Sequence, residues 1–188
     1  MGGFALYFIY LFTQAIKIVN RRYIDTGESI YINSTTQDPS LQALAQRLTK
    51  ECHNDLCRAQ HILDYVTNIP YKINHYQAHS PQMTIKKNFG DCDDKSNLLI
   101  SLLHELGIQS YFVLVPHHIF VVAKIHDIHL QHLISGLYIN REKYYILEST
   151  AKDSAVGFPL HYSIDQIQAI IDPFKNKKIN IEHLEWRR

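Results

Sequence analysis

Apolar positions along this chain follow two periods, and the change from one to the other divides it. From Ser40 onward they recur at three-and-four spacing: Leu41, Leu44, Ala45 and Leu48 form one stripe, opened by the start signal Asp38-Pro39-Ser40. Ala59, Ile62, Leu63 and Val66 form a second stripe, in a helix expected over residues 54–67. The clearest helix follows Gly90, where Leu98, Leu99, Leu102, Leu103 and Leu106 line one face. Gly107 stands where a C-terminal cap would, and Asp91 and Asp94 suit an N-cap with an acidic partner in the first turn.

Beyond Gly107 the pattern turns to strands. Residues 108–115 form a nearly continuous apolar run bounded by Gly107 and Pro116, which predicts a central strand, and residues 119–125 predict a second. Residues 137–139 and 144–147 flank Asn140-Arg141-Glu142-Lys143 as a hairpin. Elsewhere Asp25-Thr26-Gly27 reads as a turn before a short strand at 29–33. Pro70 and Tyr71 open an extended segment, and residues 72–88 form a loop with a short turn or helix near 81–85. The histidine-rich stretch 126–135 reads as a polar loop. Ser163 and Gln166 have capping-box spacing and start a last helix, with Ile164, Ile167, Ile170 and Ile171 on its buried side and Pro173 at its end. The tail from Lys175 has Ile179, Ile181, Leu184 and Trp186 to dock with. The expected fold is α+β, with helices packed on an antiparallel sheet. The chain divides into an N-terminal hydrophobic segment and connection (1–39), a core (40–162), and a C-terminal helix and tail (163–188).

The chain's 188 residues suffice for one full hydrophobic core, and 19 basic against 18 acidic side chains exclude a strong electrostatic pull toward nucleic acid. Residues 4–19 are mostly apolar, with Arg21-Arg22 beyond them. The run is short for a membrane span and lacks a basic stretch before it. A truncated membrane anchor, a helix docked on the domain, and a buried strand and helix all fit; a membrane or partner contact through 4–19 is the expectation. A membrane-associated or extracytoplasmic location is favoured over the cytoplasm. Cys52 and Cys57 either form a disulfide, leaving Cys92 free, or all three are reduced. Five residues apart on one regular helix, the pair could not bridge.

Cys92 carries the candidate chemistry. At a helix start, unpaired amides and the positive end of the dipole favour a thiolate. The opposing influence is the acid cluster Asp91, Asp93 and Asp94. A thiol nucleophile needs a base and a group to orient that base. His117 and His118 open one predicted strand and Glu148 closes another, so antiparallel pairing of the two would bring a histidine and Glu148 to one sheet edge beside Cys92. Strand alternation lets only one of the two histidines reach the thiol, with His118 as the base and His117 as the alternative. His126, His129 and His132 recur every third residue, but a solvated loop explains them better than a metal site.

Three blocks then resemble one family. Gly90-Asp91-Cys92-Asp93-Asp94-Lys95-Ser96 with its leucine helix, His118-Ile119-Phe120-Val121, and Tyr145-Ile146-Leu147-Glu148-Ser149-Thr150 stand in the order of the nucleophile, histidine and acidic blocks of the transglutaminase-like superfamily of papain-type thiol enzymes. Residues 59–71 resemble the helix and extended stretch that precede the nucleophile there. The acidic block departs from the family's aspartate followed by proline, because Glu148-Ser149 stands here. The resemblance implies a transglutaminase-like, papain-like core and a catalytic triad of Cys92, His118 and Glu148. It also implies an oxyanion contribution from Tyr71, whose alternative role is core packing. No cofactor is required, although the resemblance to calcium-binding bacterial members admits calcium at Asp91 and Asp93, against a plain helix cap. The implied function is a cysteine protease or isopeptidase acting on protein or peptide amides. A transglutaminase and a non-catalytic binding module on the same fold are the alternatives.

Overall fold

A computed structural model of the chain describes residues 5–13, 23–25, 30–33, 35, 38–74 and 78–188. At its centre is α5 (Cys92–Glu105), with Leu98, Leu99, Ile100, Leu102 and Leu103 fully buried. Burial on so many sides arises because α2 (Pro39–Leu48) and α3 (Asp55–Thr67) pack behind it while a sheet lies in front. Each such side chain contributes about 1.5–3 kcal/mol relative to exposure. The expected start signal at Asp38 and the cap at Gly107 form, the Asp38 carboxylate accepting from the Ser40 amide and Gly107 taking a left-handed φ of 74° just past α5; Asn54 caps α3 as well, accepting from the Cys57 amide.

The main sheet has seven strands in the order β8 (Lys177–Lys178), β7 (Ala169–Asp172), β3 (Ser110–Val115), β4 (His118–Ala123), β6 (Glu142–Leu147), β5 (Gly136–Ile139) and β9 (Leu184–Arg187), each neighbouring pair antiparallel. β3 (Ser110–Val115) and β4 (His118–Ala123) form a central hairpin and are buried on both faces, which accounts for their unbroken apolar runs. Phe112, Leu114, Ile119, Val121 and Leu147 meet the helices. Tyr111, Val113, Phe120, Val122 and Ile146 face the other way, beneath Phe158, Leu160, Tyr162 and Ile164. β6 (Glu142–Leu147) pairs with β4 and, through the Asn140-Arg141 turn, with β5 (Gly136–Ile139). Both turn residues have positive φ, as a two-residue hairpin turn of this hand requires. The expected α+β fold, helices on an antiparallel sheet, is the fold observed.

The expected C-terminal helix from Ser163 does not form. Its capping box closes only a 3₁₀ turn, Ile164–Gln166, and the chain then extends as β7 (Ala169–Asp172) along β3. Ile170 belongs to one apolar layer and Ile171 to the other, and both are fully buried. Adjacent β-branched residues are buried in this way only by a strand. The tail adds β8 (Lys177–Lys178) and β9 (Leu184–Arg187) to the sheet edges. Asn140 fixes its path, accepting from the amides of Glu182 and His183 and donating to the Asn180 carbonyl.

The short turn or helix expected near 81–85 is a helix, and the segment 126–135, expected as a polar loop, is partly helical. α4 (Pro81–Lys87) ends at Asn88 in the left-handed region, and α6 (Ile128–Leu133) starts where Asp127 accepts from the amides of His129 and Leu130. Only Leu130 of α6 is buried, too little to leave a helical period in the sequence. His126, His129 and His132 are exposed.

β1 (Tyr23–Asp25) and β2 (Ile30–Ile32) form a separate two-stranded sheet; Thr26 and Gly27 of the expected turn lie outside the described residues. The described part of α1, residues 5–13, is helical and exposed throughout, so the apolar run is not buried there, and its continuation to Val19 lies outside the described residues. Among the described residues no helix is long and apolar enough to cross a membrane. Cys52 and Cys57 are joined by a disulfide with a Cα separation of 5.4 Å. The helical objection does not apply, because α3 begins only at Asp55 and Cys52 lies before it. Cys92 is the free cysteine.

Candidate active site

The turn before α5 is fixed from both sides. Gly90 pairs in parallel with Tyr71, its amide donating to the Pro70 carbonyl at 3.2 Å while its own carbonyl accepts from Lys72 at 3.0 Å. A Cβ on Gly90 would fall 2.5 Å from Cβ of Asp94, so no side chain fits there. Asp91 is the N-cap, accepting from the Asp94 amide at 3.3 Å, and Asp94 accepts in return from the Asp91 amide at 3.4 Å. Cys92 is therefore the first residue of the helix.

One turn further on, Ser96 locks α5 to the end of the sheet. Its hydroxyl donates to the Ile119 carbonyl at 3.3 Å and shares a hydrogen bond of 3.1 Å with Ser149. The antiparallel register of β4 and β6, Val121 opposite Leu147, sets the start of one strand beside the end of the other. There His118 Nε2 lies 2.8 Å from Glu148 Oε2. The other carboxylate oxygen, Oε1, accepts from the Thr150 amide at 2.9 Å and hydroxyl at 2.6 Å. Glu148 is thus held at three points, and the extra methylene relative to aspartate is accommodated.

Cys92 comes to the same end of the sheet. Its sulfur is hydrogen-bonded by the backbone amide of Ile119, the residue after His118. Among the described interactions its side-chain partner is Asp93 Oδ1 at 3.6 Å rather than His118. His117 occupies the exposed β3–β4 turn with a φ of 59°, off the strand, so strand alternation does not relate it to His118. Tyr71 is 54 % exposed, which removes core packing as its role. Its phenol is pushed up by desolvation and by the charges of Cys92, Asp91 and Asp93, and its backbone pairs with Gly90, two residues before the thiol.

The electrostatics oppose a resting thiolate. Burial, then Asp93, then Asp91 push the Cys92 thiol up to about 12, against the lowering influence of the Ile119 amide. Burial would raise Glu148 as well, but the hydrogen bonds from His118 and Thr150 outweigh it and hold the carboxyl below its usual range. Asp93→Asn is accordingly expected to raise the rate of Cys92 alkylation by iodoacetamide at neutral pH. Each tenfold gain in thiolate is partly offset by a weaker nucleophile, leaving a net gain of about threefold. An unchanged rate would mean that Asp93 does not hold the proton on sulfur.

Several residues around the site were not singled out by the sequence pattern. Tyr162 lies nearly parallel to His118, with centroids 6.2 Å apart, and to Phe120 at 6.4 Å. Desolvation and the charges of Glu148 and Cys92 raise its phenol. Behind the helix start, Lys87 Nζ lies 2.9 Å from His79 Nε2, and His79 Nδ1 lies 2.9 Å from Asp94 Oδ2. Buried Lys95 donates to the carbonyls of Thr67 and Ile69 at the end of α3, and burial lowers it to about 8. Density of apolar residues over 158–162 is the one sequence sign of Tyr162; nothing in the sequence pairs His79 with Asp94.

Calcium at Asp91 and Asp93 fits this arrangement poorly. Both oxygens of Asp91 accept backbone amides, from Asp94 and, at 2.9 Å, from Asn74, and Asp93 faces the thiol. Among the described residues the one convergent set of three metal-ligating side chains is Cys52, Cys57 and His61, whose cysteines are already bonded to each other.

A cysteine-led helix docked on an antiparallel sheet with a histidine–carboxylate pair at its end places the molecule in the α+β class with a transglutaminase-like core. The chain belongs to the transglutaminase-like superfamily, whose family model matches residues 42–141, more than half of its length. The match ends before Glu148. No curated protein matches the sequence. Among solved structures, a protein of Cytophaga hutchinsonii described as a "Putative Cysteine Protease" is 19 % identical with a TM-score of 0.49, over 79 % of this chain and 50 % of its own. A "putative protease" of Parabacteroides distasonis is 15 % identical with a TM-score of 0.41, over 64 % of this chain and 28 % of its own. The chain thus spans half the length of the first and less of the second.

Proposed function

We propose that this protein is a thiol-dependent acyl-transfer enzyme, a cysteine protease or isopeptidase that hydrolyses amide bonds of a peptide or protein. Cys92 is the nucleophile, His118 the base and Glu148 the orienting acid. The observation that carries this reading is the His118–Glu148 pair, 2.8 Å apart at the sheet end where the Cys92 sulfur meets the Ile119 amide. Glu148 is ionised and accepts from Nε2–H, which leaves Nδ1 with a lone pair. The thiol proton passes to Nδ1 as sulfur attacks the carbonyl carbon. The developing oxyanion takes the backbone N–H of Cys92 at the helix start, with the Tyr71 phenol as a second donor. The imidazolium then protonates the leaving amine, and the thioester remains. Water, deprotonated by the same imidazole, releases the acid and restores the thiol. A resting thiol suits this sequence, since the proton leaves only as the bond to carbon forms. No step needs a metal.

A peptide library incubated with the protein, with and without a primary amine, tests the proposal by mass spectrometry. New carboxyl termini that are absent with Cys92→Ala are expected. Amine adducts in their place would make the protein a transglutaminase, and failure to turn over any peptide would overturn the enzymatic reading. Activity lost in chelator and restored by calcium would return Asp91 and Asp93 to a metal role.

A further inference from the structure

Beside the His118–Glu148 pair, on the face of the sheet away from α5, lies a cleft of about 260 Å³. Phe120, Ile146, Phe158 and Leu160 line it with His118 and Tyr162. Phe120 and Ile146 are buried, and Phe158 and Leu160 are half-buried against the same apolar layer. The cleft reaches the catalytic pair directly, since His118 and Glu148 both line it and Tyr162 lies nearly parallel to the His118 ring, with centroids 6.2 Å apart. The catalytic steps proposed above use none of Phe158, Leu160 or Tyr162.

We infer that this cleft receives one large apolar or aromatic side chain of the substrate, from a residue next to the scissile amide, and that Phe158, Leu160 and Tyr162 determine this specificity. The inference rests on the reading of the site as an amide hydrolase. Its volume matches a single leucine-to-tyrosine-sized group rather than an extended ligand, and an apolar lining rewards burial of hydrocarbon. Acidic side chains are rejected for a separate reason. Glu148 is held ionised at the cleft and Asp91 and Asp93 flank the thiol, so a carboxylate would enter a field of its own sign.

Peptides that differ only at the residues flanking the cleavable bond test the inference. With leucine or phenylalanine at the preferred position kcat/KM is expected to exceed that for alanine by at least about tenfold, and to exceed that for aspartate by more. Leu160→Asp should reduce the leucine-to-alanine ratio about tenfold, and Leu160→Ala by less; thermal melts of both report whether the fold persists. Turnover with no preference for apolar side chains would overturn the inference and leave the enzyme reading standing. If no peptide is turned over, the enzyme reading fails, and the cleft is still read directly. Titrating the Cys92→Ala protein with N-acetyl-phenylalanine amide should perturb the NMR signals of Phe158 and Tyr162 more than N-acetyl-alanine amide does, and equal responses would overturn the cleft's assignment.

Discussion

Glu148→Gln is expected to lower kcat/KM by three to four orders of magnitude with little change in stability. The reason lies in Thr150. Its amide and hydroxyl both donate to Oε1, so a glutamine at this position keeps its carbonyl oxygen there and turns its NH₂ toward His118. Nε2 must then accept, and the imidazole proton moves to Nδ1. That nitrogen can no longer take the proton of Cys92. The wrong-tautomer effect in such triads is about 10⁴-fold, whereas loss of a neutral hydrogen bond alone is about tenfold. Steady-state peptide hydrolysis measures the loss, and ¹⁵N shifts of the His118 ring report the tautomer. Activity within tenfold of the natural protein would rule out Glu148 as the orienting acid. Thr150→Val gives an internal comparison. It frees the Oε1 side of one donor, so a Glu148→Gln/Thr150→Val protein can flip its amide and should recover part of the activity.

How much of this was legible in the sequence depends on how local each signal is. The caps Asp38 and Asp91, the leucine face of α5 and the central hairpin are written in spacings of a few residues, and they form as expected. The His118–Glu148 contact was legible because antiparallel pairing links a strand's start to another strand's end. Ile170-Ile171 misled because a capping box ahead of an apolar cluster starts a helix or a single turn equally well. The open edge of β3, far away in sequence, selects the strand. Tyr162 and the pairing of His79 with Asp94 depend on contacts across 44 and 15 positions respectively, as with His118 and Asp94, and side chains meeting at such range leave no period. The acid cluster around Cys92 was visible as a problem, and the spacing of Asp91 and Asp94 marked the cap, but the inward burial of Asp94 and the approach of Asp93 to the thiol emerge only in three dimensions. Asp91 caps, Asp93 faces the thiol, and Asp94 turns inward.

Asp94→Ala is expected to destabilise the fold by about 3–5 kcal/mol, the most of any single change among these three acids. Asp94 is fully buried and accepts from the amides of His79 and Asp91, and its Oδ2 lies 2.9 Å from Nδ1 of the His79 ring, which is itself in contact with Lys87. Removing the carboxylate leaves those buried donors without their acceptor, and it does so at the positive end of the α5 dipole. Asp91→Ala removes an N-cap at a half-exposed position and should cost about 1 kcal/mol, and Asp93→Asn at the exposed face should cost less. Urea unfolding of the three variants gives the order directly. An Asp94→Ala protein as stable as Asp93→Asn would show that the inward carboxylate is replaced by water or by a rearranged loop. Activity should separate further than stability. The first turn of α5 places Cys92 against the Ile119 amide, so a frayed start displaces the sulfur even in molecules that remain folded. In Asp94→Ala at low temperature, where the folded fraction is restored, turnover should stay well below that of the natural protein. In Asp91→Ala under the same conditions the Asp94 side of the cap remains and most of the turnover should return.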